Sequence, residues 1–266
     1  MIKQNTLKID GINLEFLNSD LLKSEKPMLI FLHEGLGSIG QWKNFPKTIA
    51  QKLNFPAMVY DRIGYGKSDF WTEDLKADLL QDEAQRLNKL IDKLEIKNDI
   101  ILFGHSDGAT IALLNAAMPH KNLLAVIAEA PHIILEDVSF QGIENVKKLI
   151  DNKNFITKLQ KYHGNRTKEL VSRWTNLWLS QKDKNYDLSD YMKKIIHPIC
   201  LIQGDNDHFA SFKQLDLISE NVKSKFVDEN RIQDCGHIPH LEKTNEIEKI
   251  TLEFIEKILN FKNDMS

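Results

Sequence analysis

The sequence predicts an α/β fold in which a mostly parallel sheet carries helices on both faces and a helical segment is inserted into the second half. Three observations predict it. Short apolar runs alternate with segments of helical period through most of the chain, as buried parallel strands and their crossover helices require. One such run, Ile100-Ile101-Leu102-Phe103, leads directly into Gly104-His105-Ser106-Asp107-Gly108 and then into a helix-forming stretch. From Pro131 to about Ile196 the alternation stops, and a stretch rich in Lys, Asn, Asp and Gln reads as helices alone.

The elements follow in order. Thr6–Ile9 and Ile12–Phe16 alternate around Asp10-Gly11, a dipeptide suited to a tight hairpin turn. Met28–Leu32 is the next strand and runs into His33-Glu34-Gly35-Leu36-Gly37. A helix is expected around Trp42 to Leu53, a strand at Ala57–Tyr60, and a long amphipathic helix over about Leu75 to Leu94. The strand before Ser106 comes next, with its helix ended by Pro119, and then the strand Leu123–Ala128. After the insertion come the strand Ile199–Ile202, a helix from about Ser211, a strand near Lys225–Val227, and a last helix from about Thr244 to Phe261. The division is therefore 1–130 and 197–266 for the sheet domain and 131–196 for a helical cap.

Composition excludes several classes. The 266 residues are 42% hydrophobic and 27% charged with a net charge of −3, ordinary for one large domain and no invitation to nucleic acid. Cys200 and Cys235 are too few for a disulfide framework. Neither a signal core in Met1–Asn5 nor a membrane-length apolar span is present. The expectation is a cytoplasmic protein with a small-molecule substrate, no membrane or nucleic-acid partner, and an oligomeric state that composition leaves open.

The loops carry one chemistry. In Gly104-His105-Ser106-Asp107-Gly108 the flanking glycines let strand and helix approach closely, and the sharp turn holds Ser106 at the helix N-terminus. A serine needs a base. His237, in the loop before the terminal helix, is the choice over His33, His105 and His240, and the histidines lack the spacing of a zinc site. The base needs an acid at its other nitrogen. Asp207 is preferred, with Asp205 and Glu129 as rivals. The backbone N–H groups of Asp107 and of Gly35, or else Leu36, are the candidate oxyanion donors. No metal or organic cofactor is called for.

With Ser106, Asp207 and His237 in that order, the chain resembles the α/β-hydrolase superfamily. The resemblance covers nearly the whole chain: His33–Gly37 looks like the oxyanion loop, Asp61–Ser68 like the loop after the next strand, and Asp234–Lys243 like the histidine loop. Residues 131–196 correspond to the family's cap. Ser-Asp-Gly at the turn and the Trp-bearing cap look most like the biphenyl hydrolase-like and valacyclovirase-type esterases. Serine at 106 argues against the epoxide and haloalkane chemistry that an aspartate there implies. Glu34 departs from the glycine usual at its position and sets a carboxylate beside the oxyanion loop.

The resemblance implies a serine hydrolase of small carboxylic esters, with amides, lactones and carbon–carbon bonds open. A ligand-binding or signalling protein on the same fold is the rival. Glu34, Asp107 and Glu129 share one edge of the sheet. Either one of them receives a cationic substrate group, or Glu34 and Asp107 bond to loop backbone around an apolar pocket. Trp174 and Trp178 share a helical face that either lines that pocket or packs helices together.

Overall fold

The computed structural model describes residues 4–18, 21–118 and 122–264. The chain opens with a hairpin of β1 (Gln4–Ile9) and β2 (Ile12–Leu17). Asp10 and Gly11 both take positive φ, 48° and 79°, as a two-residue primed turn demands. Then follow β3 (Met28–Leu32), α1 (Phe45–Leu53), β4 (Ala57–Asp61), α2 (Leu79–Lys93), β5 (Ile100–His105), α3 (Asp107–Ala116) and β6 (Leu123–Glu129). The insertion holds α4 (Asp137–Lys148), α5 (Lys153–His163), α6 (Thr167–Leu179) and the short α7 (Ser189–Met192). The chain returns through β7 (Ile199–Gly204), α8 (Lys213–Asn221), β8 (Val227–Ile232), α9 (Pro239–Glu242) and α10 (Thr244–Asp264).

The eight strands form one sheet in the order β1-β2-β4-β3-β5-β6-β7-β8. Pairing is antiparallel only at β1–β2 and β2–β4, and parallel from β4 to β8. Two apolar layers enclose it. Leu80, Leu87 and Ile91 of α2, most of α3, and Leu215 and Ile218 of α8 pack one face. Phe45 and Ile49 of α1 with Ile247, Phe254 and Ile255 of α10 pack the other. The central strands β3, β5 and β7 are buried at every residue, which is why they read as continuous apolar runs rather than alternating ones.

Several expected boundaries move. The first helix begins at Phe45, not Trp42, because Lys43 takes φ 55° and separates α1 from a 3-10 turn over Ile39–Trp42. The amphipathic helix begins at Leu79, not Leu75, with Asp78 outside helical geometry. The last strand is Val227–Ile232 rather than Lys225–Val227. It is the edge of the sheet and carries Asp228, Glu229 and Arg231, charges that blunt a free edge and hide its pattern. Pro119, expected to end α3, and the start of the Met1–Asn5 stretch lie outside the described residues. Among the described residues, no helix is long and apolar enough to cross a membrane.

The centre of the sheet is built by close approach. A Cβ on Gly104 would stand 2.1 Å from the carbonyl oxygen of Gly108, and one on Gly108 would stand 2.0 Å from that of Leu32. Helix α3, buried at all its residues, therefore sits backbone to backbone against β5 and β3. Replacing Gly104 or Gly108 by alanine must push the helix off the strands. Each substitution is expected to cost about 1–3 kcal/mol or more, read as a lowered urea midpoint at unchanged m-value.

Candidate active site

The ends of β3, β4, β5, β6, β7 and β8 all open on one edge of the sheet, where parallel α/β sheets bind ligands. At its centre Ser106 closes β5 and precedes α3 with φ 54° and ψ −120°. Such a backbone costs a non-glycine residue about 1–3 kcal/mol. It is held because Ser106 N–H donates to the Glu129 carbonyl at 2.8 Å while its own carbonyl accepts from Ala109 and Thr110. The strain turns the hydroxyl outward, beside the first N–H groups of α3, which have no partner inside the helix.

The His237 and Asp207 loops meet it there. Ser106 Oγ lies 2.9 Å from His237 Nε2, and His237 Nδ1 lies 2.8 Å from Asp207 Oδ2. Asp207 accepts further bonds from Gln203 Nε2 at 2.9 Å and from the Phe209 N–H at 2.7 Å. Burial alone would raise the Asp207 pKa, but the His237 charge and hydrogen bond outweigh it and hold the carboxyl below its ordinary range. An ionised Asp207 keeps the His237 proton on Nδ1, so Nε2 is free to accept from the serine hydroxyl.

The rivals are otherwise engaged. Asp205 Oδ1 accepts from Asn206 Nδ2 and from the Cys235 N–H, shaping the loop. Glu129 faces His240 instead of His237: its oxygens take the His240 N–H and Nδ1, both at 2.6 Å. His33 accepts the Arg62 N–H at Nε2, a loop-holding role.

A pocket of about 170 Å³ lies over Ser106. Leu135, Ile143, Val146, Phe209 and Ile238 make its walls apolar, and Glu34, Asp107, His132 and His237 are its ionisable lining. Trp174 and Trp178 both line it. Trp174 also donates from Nε1 to Asp107 Oδ2 at 3.1 Å, tying α6 to the serine turn. A Cβ on Gly35 would stand 2.2 Å from that indole nitrogen, so only glycine lets the His33–Gly37 loop lie so close. Gly35 and Asp107 thus meet within one corner of the pocket beside Ser106, and Leu36 borders it too.

Three carboxylate expectations need correction. Glu129 is fully buried beneath the sheet edge, spent on His240, and cannot touch substrate. Asp107 bonds to the Trp174 indole, and its other oxygen stands 3.6 Å from His132 Nε2 and Oδ2 itself 4.0 Å from Arg62. Glu34 takes a bond from Gln41 Nε2 at 3.2 Å and lies 3.5 Å from His105 Nδ1. Asp107 is therefore held by side chains, and Glu34 by side chains together with its own backbone N–H. His132, Arg62 and Phe209 were not singled out beforehand. His132 and Phe209 follow strand ends, which was the available signal. The buried guanidinium, stacked 4.5 Å from the Tyr65 ring centre, has no local pattern to betray it.

Behind the histidine loop lies a charge network. His105 donates from Nε2 to the His237 carbonyl at 2.7 Å and stands between Glu34 and Glu129. Burial disfavours its cation, but Glu34 and then Glu129 outweigh burial and raise its pKa to about 9. Burial likewise opposes ionisation of Glu34, yet His105 brings its pKa down to about 2. His105, Glu129 and His240 bring ligand-type atoms within 4.8 Å of one another. The 2.6 Å contact from Glu129 to His240 is a hydrogen bond, whereas two ligands on a tetrahedral zinc with bonds of about 2.0–2.1 Å stand roughly 3.3 Å apart. The trio fits a proton-linked network and not a metal.

Known proteins share the family and the fold. The family described as "Serine aminopeptidase, S33" matches residues 23–176. A proline iminopeptidase of Lactobacillus helveticus is 20% identical over 88% of this chain and 92% of its own length. Among solved structures, a bacterial membrane phospholipase A superposes with a TM-score of 0.75 at 17% identity, covering 97% of this chain and 87% of that one. The enol-lactonase of Burkholderia xenovorans does so at 0.71 and 15%, covering 95% and 100%. At these identities the structural likeness is one of fold, the α/β-hydrolase fold.

The Glu34–His105 pair makes stability depend on pH from both sides. The depressed Glu34 contributes stability that is complete above its ordinary value of 4.5 and lost as pH falls toward 2. The raised His105 contributes stability that is complete below its ordinary 6.5 and lost as pH rises through about 9. The pair's contribution is therefore greatest between these ordinary values. Urea midpoints across the acid and alkaline limbs are expected to fall on both sides for the wild type, and Glu34→Gln is expected to flatten the acid one.

Proposed function

Since the chain belongs to the serine aminopeptidase S33 family of α/β-hydrolases, we propose that it is a serine hydrolase cleaving small, uncharged carboxylic esters through an acyl-enzyme. The observation that carries this reading is the unbroken hydrogen-bonded chain from Ser106 through His237 to Asp207 at the floor of an apolar pocket. In the first half-reaction Ser106 Oγ attacks the carbonyl carbon as its proton passes to His237 Nε2. Asp207 stabilises the imidazolium so formed. The carbonyl oxygen, now an anion, accepts from the N–H groups of Gly35 and Asp107. Collapse expels the alkoxide, which takes the proton back from His237. Water then repeats the sequence on the acyl-enzyme and releases the acid.

Glu34 would oppose an oxyanion formed a few ångströms away, and the His105 cation beside it cancels that field. The helical insertion acts as the cap: α4 supplies Ile143 and Val146 and α6 supplies the two tryptophans of the acyl pocket. Among the described residues no Lys or Arg lines that pocket, so an anionic acyl group is disfavoured.

A second reading takes the substrate as an α-amino ester or a peptide N-terminus. Glu34, ionised and partly open to the pocket, favours it, as does the likeness to a proline iminopeptidase. A charge-assisted bond to the ammonium is worth about 1.5–3 kcal/mol, a roughly 10- to 100-fold preference. Equal kcat/KM for an amino ester and its des-amino analogue would remove this reading.

The decisive assay is sustained hydrolysis of p-nitrophenyl butyrate. Ser106→Ala is expected to lower kcat on the order of 10⁶-fold. A wild-type burst without turnover would favour the binding-protein rival, and unchanged activity in the variant would refute Ser106 as nucleophile. In the same assay a p-nitrophenyl hemisuccinate is expected to lose about tenfold or more in kcat/KM against the butyrate, because its carboxylate would be desolvated among apolar side chains without a Lys or Arg beside it.

A further inference from the structure

We propose that His163, on the helical insertion, is a positioning residue that clasps the oxyanion loop to the loop after β4 and thereby holds the Gly35 N–H in register with Ser106. The proposal rests on the serine-hydrolase reading above and adds to it a role for a residue outside the pocket lining.

His163 ends α5 and is buried to 3% exposure. Its Nδ1 accepts the Gly66 N–H at 2.9 Å, and its Nε2 lies 3.0 Å from the Leu36 carbonyl. An N–H donor at Gly66 forces Nδ1 to be bare, so the proton sits on Nε2 and is donated to Leu36. One neutral ring therefore joins two loops that lie 127 and 97 residues away from it. Leu36 belongs to the turn Glu34-Gly35-Leu36-Gly37, closed by the Gly37 N–H on the Glu34 carbonyl at 3.0 Å. From the sheet side, Arg62 Nη2 holds the same Glu34 carbonyl at 2.8 Å. From the insertion side the grip on the turn is His163. Arg166 secures the second loop by donating to the Gly66 and Ser68 carbonyls at 2.8 and 2.9 Å, so both polar groups of Gly66 are held from the insertion.

The clasp works only with a neutral imidazole. Protonating Nδ1 would set its N–H against the Gly66 N–H, and one contact must open. Burial, the largest influence, holds the pKa of His163 below its ordinary value, and Arg166 pushes the same way. The Leu36 carbonyl, Asp61 and Glu34 push against it. Of the other groups on the packed loops, Tyr65 lies edge-on with ring centres 6.4 Å apart, and His33 senses the charge of His163. Because the pKa is depressed, the clasp persists below the ordinary histidine value of 6.5 and opens only as pH falls through the lowered one.

The test measures kcat and KM for p-nitrophenyl butyrate from weakly acid to neutral pH in wild type, His163→Ala and His163→Gln. A misaligned oxyanion donor predicts that the alanine variant loses about 10- to 100-fold in kcat, with KM within about twofold of wild type. The glutamine amide can accept from Gly66 and donate to Leu36 without titrating. It is expected to restore most of kcat at neutral pH and to lose less than wild type on the acid side. A kcat within twofold in His163→Ala, a loss confined to KM, or a folded glutamine variant no better than alanine would each overturn the proposal. Should the alanine variant not fold, imidazole ¹⁵N spectra of the wild type decide. The Nε2–H tautomer persisting below the ordinary titration range supports the clasp, and an Nδ1–H tautomer or an ordinary titration overturns it. Turnover surviving Ser106→Ala would instead refute the nucleophile and leave that spectroscopic test standing.

Discussion

The backbone of Ser106 is the constraint on which the rest depends. A residue other than glycine at φ 54° and ψ −120° is held there only by its surroundings. Those surroundings are the bare backbones of Gly104 and Gly108, with the carbonyl of Leu32 pressed where a Cβ would otherwise stand. The neighbouring strands are parallel, and α3 is buried at every residue. The serine hydroxyl is consequently delivered to the carboxyl edge of the sheet, and Gly35, Asp207 and His237 arrive there on loops following β3, β7 and β8. The strain at one position is offset by the packing of the whole central layer.

A second organising feature is the alternation of charge behind the histidine loop. Glu34, His105, Glu129 and His240 run inward from the pocket wall, negative groups facing nitrogen bases at each step. Buried alone, any of these charges would be costly. Arranged in alternation they hold the His237 carbonyl from below and the His240 backbone from behind, so the position of the His237 ring does not rest on Asp207 alone. The same arrangement lets a carboxylate stand next to the oxyanion loop without presenting a net negative field.

The insertion between β6 and β7 is joined to the sheet domain at several depths. Trp174 bonds to the residue after the serine, Arg166 and His163 grip the loops after β4 and β3, and Lys43 contacts Tyr162 near the surface. The wall of the pocket and the grip on the His33–Gly37 loop therefore come from the same insertion. A change in how the insertion packs would alter both the room in the pocket and the placement of the His33–Gly37 loop.

Much of this was legible in the chain itself, for local reasons. Buried parallel strands must be apolar throughout, so Met28–Leu32, Ile100–Phe103 and Ile199–Ile202 declared themselves. The glycines around Ser106 declared the turn, because no other residue fits where strand and helix backbones touch. The order Ser106, Asp207, His237, each after a strand, followed from that alternation. Edge strand β8 was misplaced because an exposed edge has no apolar pattern to read. What only the tertiary structure decided was which polar partner each residue keeps. Asp207 rather than Glu129 faces His237, Glu129 holds His240, Asp107 holds Trp174, and His163 spans two distant loops. A hydrogen bond between side chains far apart in sequence leaves no periodic trace, since its geometry exists only once the strands have set the loops side by side.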